Sequence, residues 1–290
     1  MRKRKTLLEV LKLATDYLEQ NGVEQARLNA ERLLAHALDL DRVALYLNYD
    51  RPLSETELAR FREFVRRRGQ REPLQYILGE TEFFSLPFKV NRDVLIPRPE
   101  TEILVERTVE RCLQRFGDEA TCRILDVGTG SGCIAVSLAK SLPQVEVVAV
   151  DVSAAALEVA AENARRNGVA ERVRFLQHDF LTGDLPQGPA FEVVVSNPPY
   201  VSERDFHALP EEIRLHEPAV ALKDGLDGLS FFRRIAGVAA KHVAPNGFVA
   251  VEIGMGQAQP VETIFKQNGW SRVEIFVDLN GTERVLMCEK

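Results

Sequence analysis

Leu7, Leu8, Leu11, Ala14 and Leu18 recur at spacings of three and four near the start of the chain, with charged residues between them. That period places the apolar side chains on one face of a helix. Thr6 followed by Glu9 is a capping-box pattern at its start, and Asn21-Gly22 marks its end. The capping signature returns at Ser54 and Glu57 ahead of Leu58, Phe61 and Val65, and between the two ARLNAERLLAHALDL has a further helical stripe. Residues 6–70 are expected to form a small helical bundle, with no catalytic constellation among them. Beyond it the pattern changes. PLQYILGETEFFSLPFKVNRDVLIPRPE is rich in aromatic and β-branched residues, broken by Gly79 and Pro87, and reads as a β-hairpin leading to the next domain. Pro99, with Glu100 and Glu102 behind it, suits the first turn of a helix.

From Arg123 strand-like and helix-like segments alternate: RILDVG, a helix after Gly132, VEVVAVD, a helix through Ala164, VRFLQHD and FEVVVSN. GFVAVEIG, RVEIFVDLN and ERVLMCEK follow, the last two joined by Asn280-Gly281. The alternation predicts an α/β fold: a doubly wound, Rossmann-like, mostly parallel sheet with helices on both faces and an antiparallel hairpin at the C-terminal edge. Ligands of such a sheet sit over the carboxyl ends of the strands. The expected domains are 1–72, helical; 73–92, the hairpin linker; and 93–290, the α/β domain.

No segment approaches the roughly 18 consecutive apolar residues of a membrane span. The opening MRKRKTLLEVLKLATDYLEQ mixes Glu, Lys and Asp into its apolar residues, unlike a signal peptide, so a cytoplasmic location and no membrane partner are expected. Cys112, Cys122, Cys133 and Cys288 form no CxxC and have no His at ligand spacing, which suggests neither a metal site nor a disulfide framework. The first 75 residues hold 15 of the 37 Lys/Arg and 12 of the 43 Asp/Glu, so the net negative charge lies in the rest of the chain. The run RRRGQR, Arg66 to Arg71, is read as a solvated helix end before a nucleic-acid contact.

LDVGTGSGCIAVSLA, Leu125 to Ala139, is a strand, a glycine-rich turn and a helix in the first βα position. Gly128, Gly130 and Gly132 permit positive φ and close approach of a ligand to the backbone. Such a turn serves dinucleotides as well. Asp126, just ahead of the glycines, would repel a pyrophosphate but suits an ammonium and a sulfonium, which favours S-adenosyl-L-methionine. Asp151 ends the second strand of the domain, where its carboxylate can accept from ribose hydroxyls; nicotinamide enzymes share that feature. Asp179-Phe180 closes the third strand, placed to meet an adenine amino group and face.

FEVVVSNPPYVSERD then ends a buried-looking strand with Asn197, Pro198, Pro199 and Tyr200. The two prolines fix φ and stiffen the loop. The Asn197 side-chain carbonyl and the Pro198 carbonyl can accept the two hydrogens of a planar NH2 group, and Tyr200 can cover one of its faces. A conjugated nitrogen is a poor nucleophile: rotation about a peptide C–N bond costs about 18–20 kcal/mol. Fixed acceptors orient it and stabilise the charge that develops on it. Adenine, cytosine and guanine amino groups and a glutamine amide all fit this chemistry.

LIPRPETE (Leu95 to Glu102), DVGTGSG, NPPY and EPAVALKDGLDGLSFF (Glu217 to Phe232), with the helical region and the hairpin segment ahead of them, closely resemble the PrmC/HemK family. Its members methylate the glutamine side-chain amide in the GGQ tripeptide of bacterial peptide chain release factors. The resemblance implies a class I methyltransferase fold using S-adenosyl-L-methionine, a release factor as protein partner recognised by residues 1–72, and no required contact with nucleic acid. By position it puts cofactor contacts on Gly128, Thr129, Gly130, Ser131, Gly132, Asp151, Phe180 and Asn197, beside Asp126 and Asp179. The amide site falls on Asn197, Pro198, Pro199 and Tyr200, with Pro97, Arg98 and Pro99 lining the glutamine pocket. Phe180 stands where the family often has Trp. The alternatives are a DNA or RNA amino-methyltransferase, against which the acidic α/β domain argues; a nicotinamide oxidoreductase, which gives NPPY no task; and a non-catalytic adaptor.

Overall fold

The computed structural model describes residues 5–117, 121–185 and 188–290. The basic head Met1–Arg4 lies outside the described residues. In chain order come α1 (Leu7–Gln20), α2 (Ala26–Leu38), α3 (Arg42–Leu47), α4 (Glu55–Gly69) and α5 (Leu74–Leu78), then β1 (Glu80–Phe83), β2 (Leu86–Lys89) and α6 (Pro99–Phe116). They are followed by β3 (Cys122–Val127), α7 (Cys133–Ser141), β4 (Val145–Asp151), α8 (Ala154–Arg166), β5 (Val173–Gln177) and β6 (Phe191–Ser196). The remainder is α9 (Glu203–Phe206), α10 (Glu211–His216), α11 (Ser230–His242), β7 (Val243–Glu252), α12 (Ala258–Gln267), β8 (Arg272–Val277) and β9 (Glu283–Glu289). The residues group into two units, one running to Gly79 and including Pro210–His216, the other Glu80–Leu209 with Glu217–Lys290.

In the first unit both capping boxes form. The Thr6 and Ser54 hydroxyls accept from the Glu9 and Glu57 amides, and each Glu returns a bond to its cap backbone. Leu7, Leu11, Leu18, Leu33, Leu34, Leu45 and Phe61 fill the core between the helices. The arginine run is paired within this unit, with Arg66 exposed at the helix end and Arg68 buried. Arg66 pairs with Glu63 at 2.6 Å and Arg67 with Glu72 at 2.8 Å. Arg68 is buried, donating to Asn29 Oδ1 at 2.8 Å, to the Glu72 carbonyl at 3.0 Å and to Glu212 of α10 at 2.9 Å. Arg71 donates to the Gly22 carbonyl.

The hairpin is shorter than the sequence suggests. Leu74–Leu78 is a helical turn, ended by Gly79 at φ 77°, and strand pairing is confined to residues 80–89. Leu74, Tyr76 and Ile77 are buried, and Leu74 and Ile77 join the core of the first unit, so tertiary packing overrides the β preference of the segment. Phe84 and Ser85, both at positive φ, make the tight turn between β1 and β2.

The sheet of the second unit has the order β5-β4-β3-β6-β7-β9-β8, with the first five strands parallel and β9 antiparallel between β7 and β8. Side chains alternate between two cores. Ile124, Val193 and Val195 pack on one face with α6 and α7, while Leu125, Val194 and Val249 pack on the other with α11 and α12. Burial on both faces explains why these strands read as continuous apolar runs. Strand order reverses between β3 and β6, the crevice where such sheets hold ligands. No described helix is long and apolar enough to cross a membrane.

Candidate active site

β3 hands over to α7 through Gly128–Gly132, whose three glycines have φ of 72°, 54° and 79°. A Cβ on Gly132 would come within 3.0 Å of the Ala160 Cβ on α8, so this glycine allows close helix packing. At Gly128 and Gly130 a Cβ would meet nothing within 4 Å, so their side of the turn faces open space. The Gly128 and Thr129 amides are held by the Val150 carbonyl at 2.9 and 3.0 Å. Buried Asn163 of α8 braces the turn from behind, donating to the Ser131 carbonyl at 2.9 Å and bonding both backbone groups of Lys89 in β2.

Around that space lies a cavity of about 550 Å³, within the usual range for small-molecule sites. Its walls include Gly128, Thr129, Gly130, Ser131, Asp151, Asp179, Phe180, Asn197, Pro199, Pro97 and Arg98, all proposed from sequence. Asp151 accepts the Gly130 amide on one oxygen at 2.8 Å and the Ser153 amide on the other at 2.9 Å, and each oxygen retains a lone pair for a ligand hydroxyl. Asp179 lies two residues past the end of β5; its bond to the Thr182 hydroxyl, helped by the Leu181 amide, holds its carboxyl below the usual range. Phe180 is buried against the α11 core and presents an aromatic wall. His178, also in the wall, has a buried Nε2 without a partner.

Asp126 is placed differently from the expectation of a ligand contact. It is fully buried and does not line the cavity. One oxygen accepts the Thr129 hydroxyl at 2.6 Å and the other has no partner. Burial pushes its carboxyl up to about 7, against the Thr129 hydrogen bond. Gly132, Pro99, Pro198 and Tyr200 also stand outside the cavity wall.

Three residues absent from the sequence reading fix the Asn197–Tyr200 loop. Asn197 Nδ2 donates to Thr101 Oγ1 at 3.1 Å, and Asn197 Oδ1 accepts no hydrogen bond from the described residues. Thr101 Oγ1 donates to Glu252 at 2.6 Å and the Tyr200 hydroxyl to the same carboxylate at 3.2 Å. Gln257 donates from Nε2 to the Tyr200 and Gly228 carbonyls. Burial pushes the Tyr200 phenol well up, and the Glu252 charge adds to the rise. None of the three is marked out by its neighbours: Thr101 sits within LIPRPETE at a helix start, while Glu252 ends β7 and Gln257 follows it, more than 50 residues beyond Asn197. Arg98 is committed to Glu217 at 2.5 Å.

A glycine turn, a ribose-type aspartate and an Asn-Pro-Pro loop over adjacent parallel strands, on a sheet whose penultimate strand in space is the reversed β9, define a class I S-adenosyl-L-methionine-dependent methyltransferase. The fold agrees with solved structures. The human methyltransferase 10 domain containing protein superposes with a TM-score of 0.51 at 18% identity, covering 71% of this chain and 90% of that one. The hMettl16 catalytic domain, solved in complex with a MAT2A 3′UTR hairpin, gives 0.57 at 17%, covering 81% of each. The PrmC N-terminal domain model matches residues 9–79 and the methyltransferase small domain model residues 102–225. The release factor glutamine methyltransferase of Geobacter sulfurreducens is 45% identical over 97% of this chain and 95% of its own length. That of Bacillus subtilis is 40% identical over 97% of each. The chain belongs to the release factor glutamine methyltransferase family.

The cavity fits the family's cofactor on structural grounds. Open space over Gly128 and Gly130, unused lone pairs on Asp151, the Phe180 wall and the unpartnered His178 nitrogen suit a nucleoside.

Proposed function

We propose that this chain methylates the side-chain amide nitrogen of the glutamine in the GGQ motif of peptide chain release factors. When bound, S-adenosyl-L-methionine supplies an electrophilic methyl group on a sulfonium. Gly128–Ser131, Asp151, Asp179 and Phe180 hold it; Asp126 acts from beneath the turn, fixing Thr129. Asn197 Oδ1 accepts an N–H of the glutamine amide, orients its nitrogen and stabilises the positive charge it acquires. Pro199 stiffens the loop, and Tyr200, bonded to Glu252 behind the cavity wall, anchors its far end. The nitrogen becomes acidic only after methylation, so no general base is required beforehand. Arg98, tied to Glu217, shapes the glutamine pocket rather than donating to it.

The observation that supports this reading is that Asn197, its Oδ1 unengaged by the described residues, shares the cavity wall with the glycine turn and Asp151. Residues 1–72 serve to recognise the release factor in the cytoplasm, and residues 93–290 perform the chemistry. Incubation with labelled S-adenosyl-L-methionine and, separately, release factor, tRNA, rRNA and DNA tests the substrate. Label on the GGQ glutamine of the release factor is expected; label on nucleic acid alone would overturn the proposal.

A further inference from the structure

An Asn side chain can point either its oxygen or its nitrogen into a site, and only the oxygen accepts an N–H. The choice here is made by a neighbour's proton. Thr101 Oγ1 has one hydrogen, and at 2.6 Å from Glu252 Oε2 it is given to the carboxylate. Toward Asn197, Thr101 can therefore only accept, so Nδ2 must face it and Oδ1 must face the cavity. The second Glu252 oxygen accepts the Tyr200 hydroxyl, so an ionised Glu252 holds both ends of the Asn197–Tyr200 loop. Thr101 and Glu252 are each 1% exposed, so water does not compete for these bonds.

We propose that Glu252, acting through Thr101, is a positioning residue that sets which end of the Asn197 amide faces the substrate. The inference rests on the reading of Asn197 as acceptor for the glutamine NH2.

A proton on Glu252 would reverse the chain: the carboxyl would donate to Thr101, Thr101 would donate to Asn197 Oδ1, and Nδ2 would turn into the cavity. The surroundings bring that change near neutrality. Burial pushes Glu252 up to about 7, against the Thr101 and Tyr200 hydrogen bonds; Glu100 of α6 adds to the rise and Arg284 of β9 opposes it. Cys133 of α7 also lies within reach of the Glu252 charge. An amide substrate has no titration of its own in this range.

The test compares wild type, Thr101→Val, Thr101→Ser and Glu252→Gln for kcat and KM on a GGQ peptide, cofactor Kd by calorimetry, and melting temperature. The Asn197 side-chain NH2 signal of 15N-labelled protein, assigned by its loss in Asn197→Ala, is followed against pH without cofactor. Thr101→Val should lower kcat by about 10²-fold, the scale of a small misplacement of reacting groups, with cofactor Kd within about threefold. Thr101→Ser, which keeps the hydroxyl, should recover most of the activity. Wild-type kcat should fall as pH drops through about 7 with a parallel shift of the Asn197 signal, and both inflections should vanish in Glu252→Gln and Thr101→Val. A normal kcat in Thr101→Val, or an Asn197 signal indifferent to pH and to Thr101, would overturn the inference. Loss of melting temperature with unchanged kcat on the folded fraction would also overturn it, leaving Thr101 a packing residue. Failure of wild type to methylate the peptide while the Asn197 signal responds as expected would instead count against the substrate.

Discussion

Glu217 accepts from the Arg98 guanidinium at 2.5 Å and from the Ile96 amide at 3.1 Å, so one buried carboxylate ties the LIPRP segment to the start of EPAVAL. Its side chain is 1% exposed and that of Arg98 30%. Both joined segments contribute to the cavity wall, the first through Pro97 and Arg98 and the second through Ala219 and Val220.

Arg98→Ala leaves that carboxylate buried without its cation. The expected cost is about 1–3 kcal/mol, as for a stranded buried polar group, read as a lower urea midpoint. Adding Glu217→Gln should recover part of the loss, since the remaining amide no longer buries a charge; a double variant less stable than Arg98→Ala would contradict the clamp.

For Asn197, Ala should reduce kcat by roughly 10²–10³, with cofactor affinity nearly retained. Asp keeps an acceptor of the same size, yet it puts oxygen where Nδ2 donates to Thr101 and brings a second carboxylate toward Glu252. Asn197→Asp should therefore be no more active than Asn197→Ala. Steady-state kinetics on both variants decides the order.

Asp151→Ala removes the acceptor for the Gly130 amide as well as the one proposed for the ribose. Calorimetry should show cofactor binding weakened by about 1.5–3 kcal/mol. Unchanged affinity would take Asp151 out of the nucleoside site.

Asp126 and Glu252 are both raised by burial to about 7. Between their ordinary carboxyl values and about pH 7 the folded protein keeps protons that the unfolded chain has released. Their contribution is thus fully present below the unfolded values and is lost as pH rises through the folded ones. Depressed carboxyls such as Glu57 and Asp179 act below that window. Urea melts at about pH 5 and about pH 8 should give the lower stability at the higher pH, with the slope reduced in Asp126→Asn.

Arg68 and Arg66 adjoin in sequence but differ in environment. Arg68→Ala strands Asn29 and Glu212 and should cost about 1–3 kcal/mol. Arg66→Ala breaks an exposed, solvent-screened pair with Glu63 and should leave the denaturant midpoint nearly unchanged. Equal effects in denaturant melts would remove the distinction.

Much of this molecule is local in origin and was legible in the chain. Capping boxes at Thr6 and Ser54 need only residues three apart, the alternation of strands and helices needs only periodicity, and Gly128–Gly132 and Asn197–Tyr200 are short contiguous motifs at strand ends. Their meeting in one cavity follows from the reversal of strand order between β3 and β6. What the chain by itself left open depends on partners far apart in sequence. Leu74–Leu78 is helical because its apolar side chains find the first unit's core, and Arg68 is structural because Glu212 reaches it from 144 residues away. Thr101 and Glu252, 151 residues apart, acquire a role only once α6 and the end of β7 bring them within 2.6 Å. A proton's position on a threonine oxygen, and with it the direction of the Asn197 amide, is decided by that burial and contact, which no local pattern encodes.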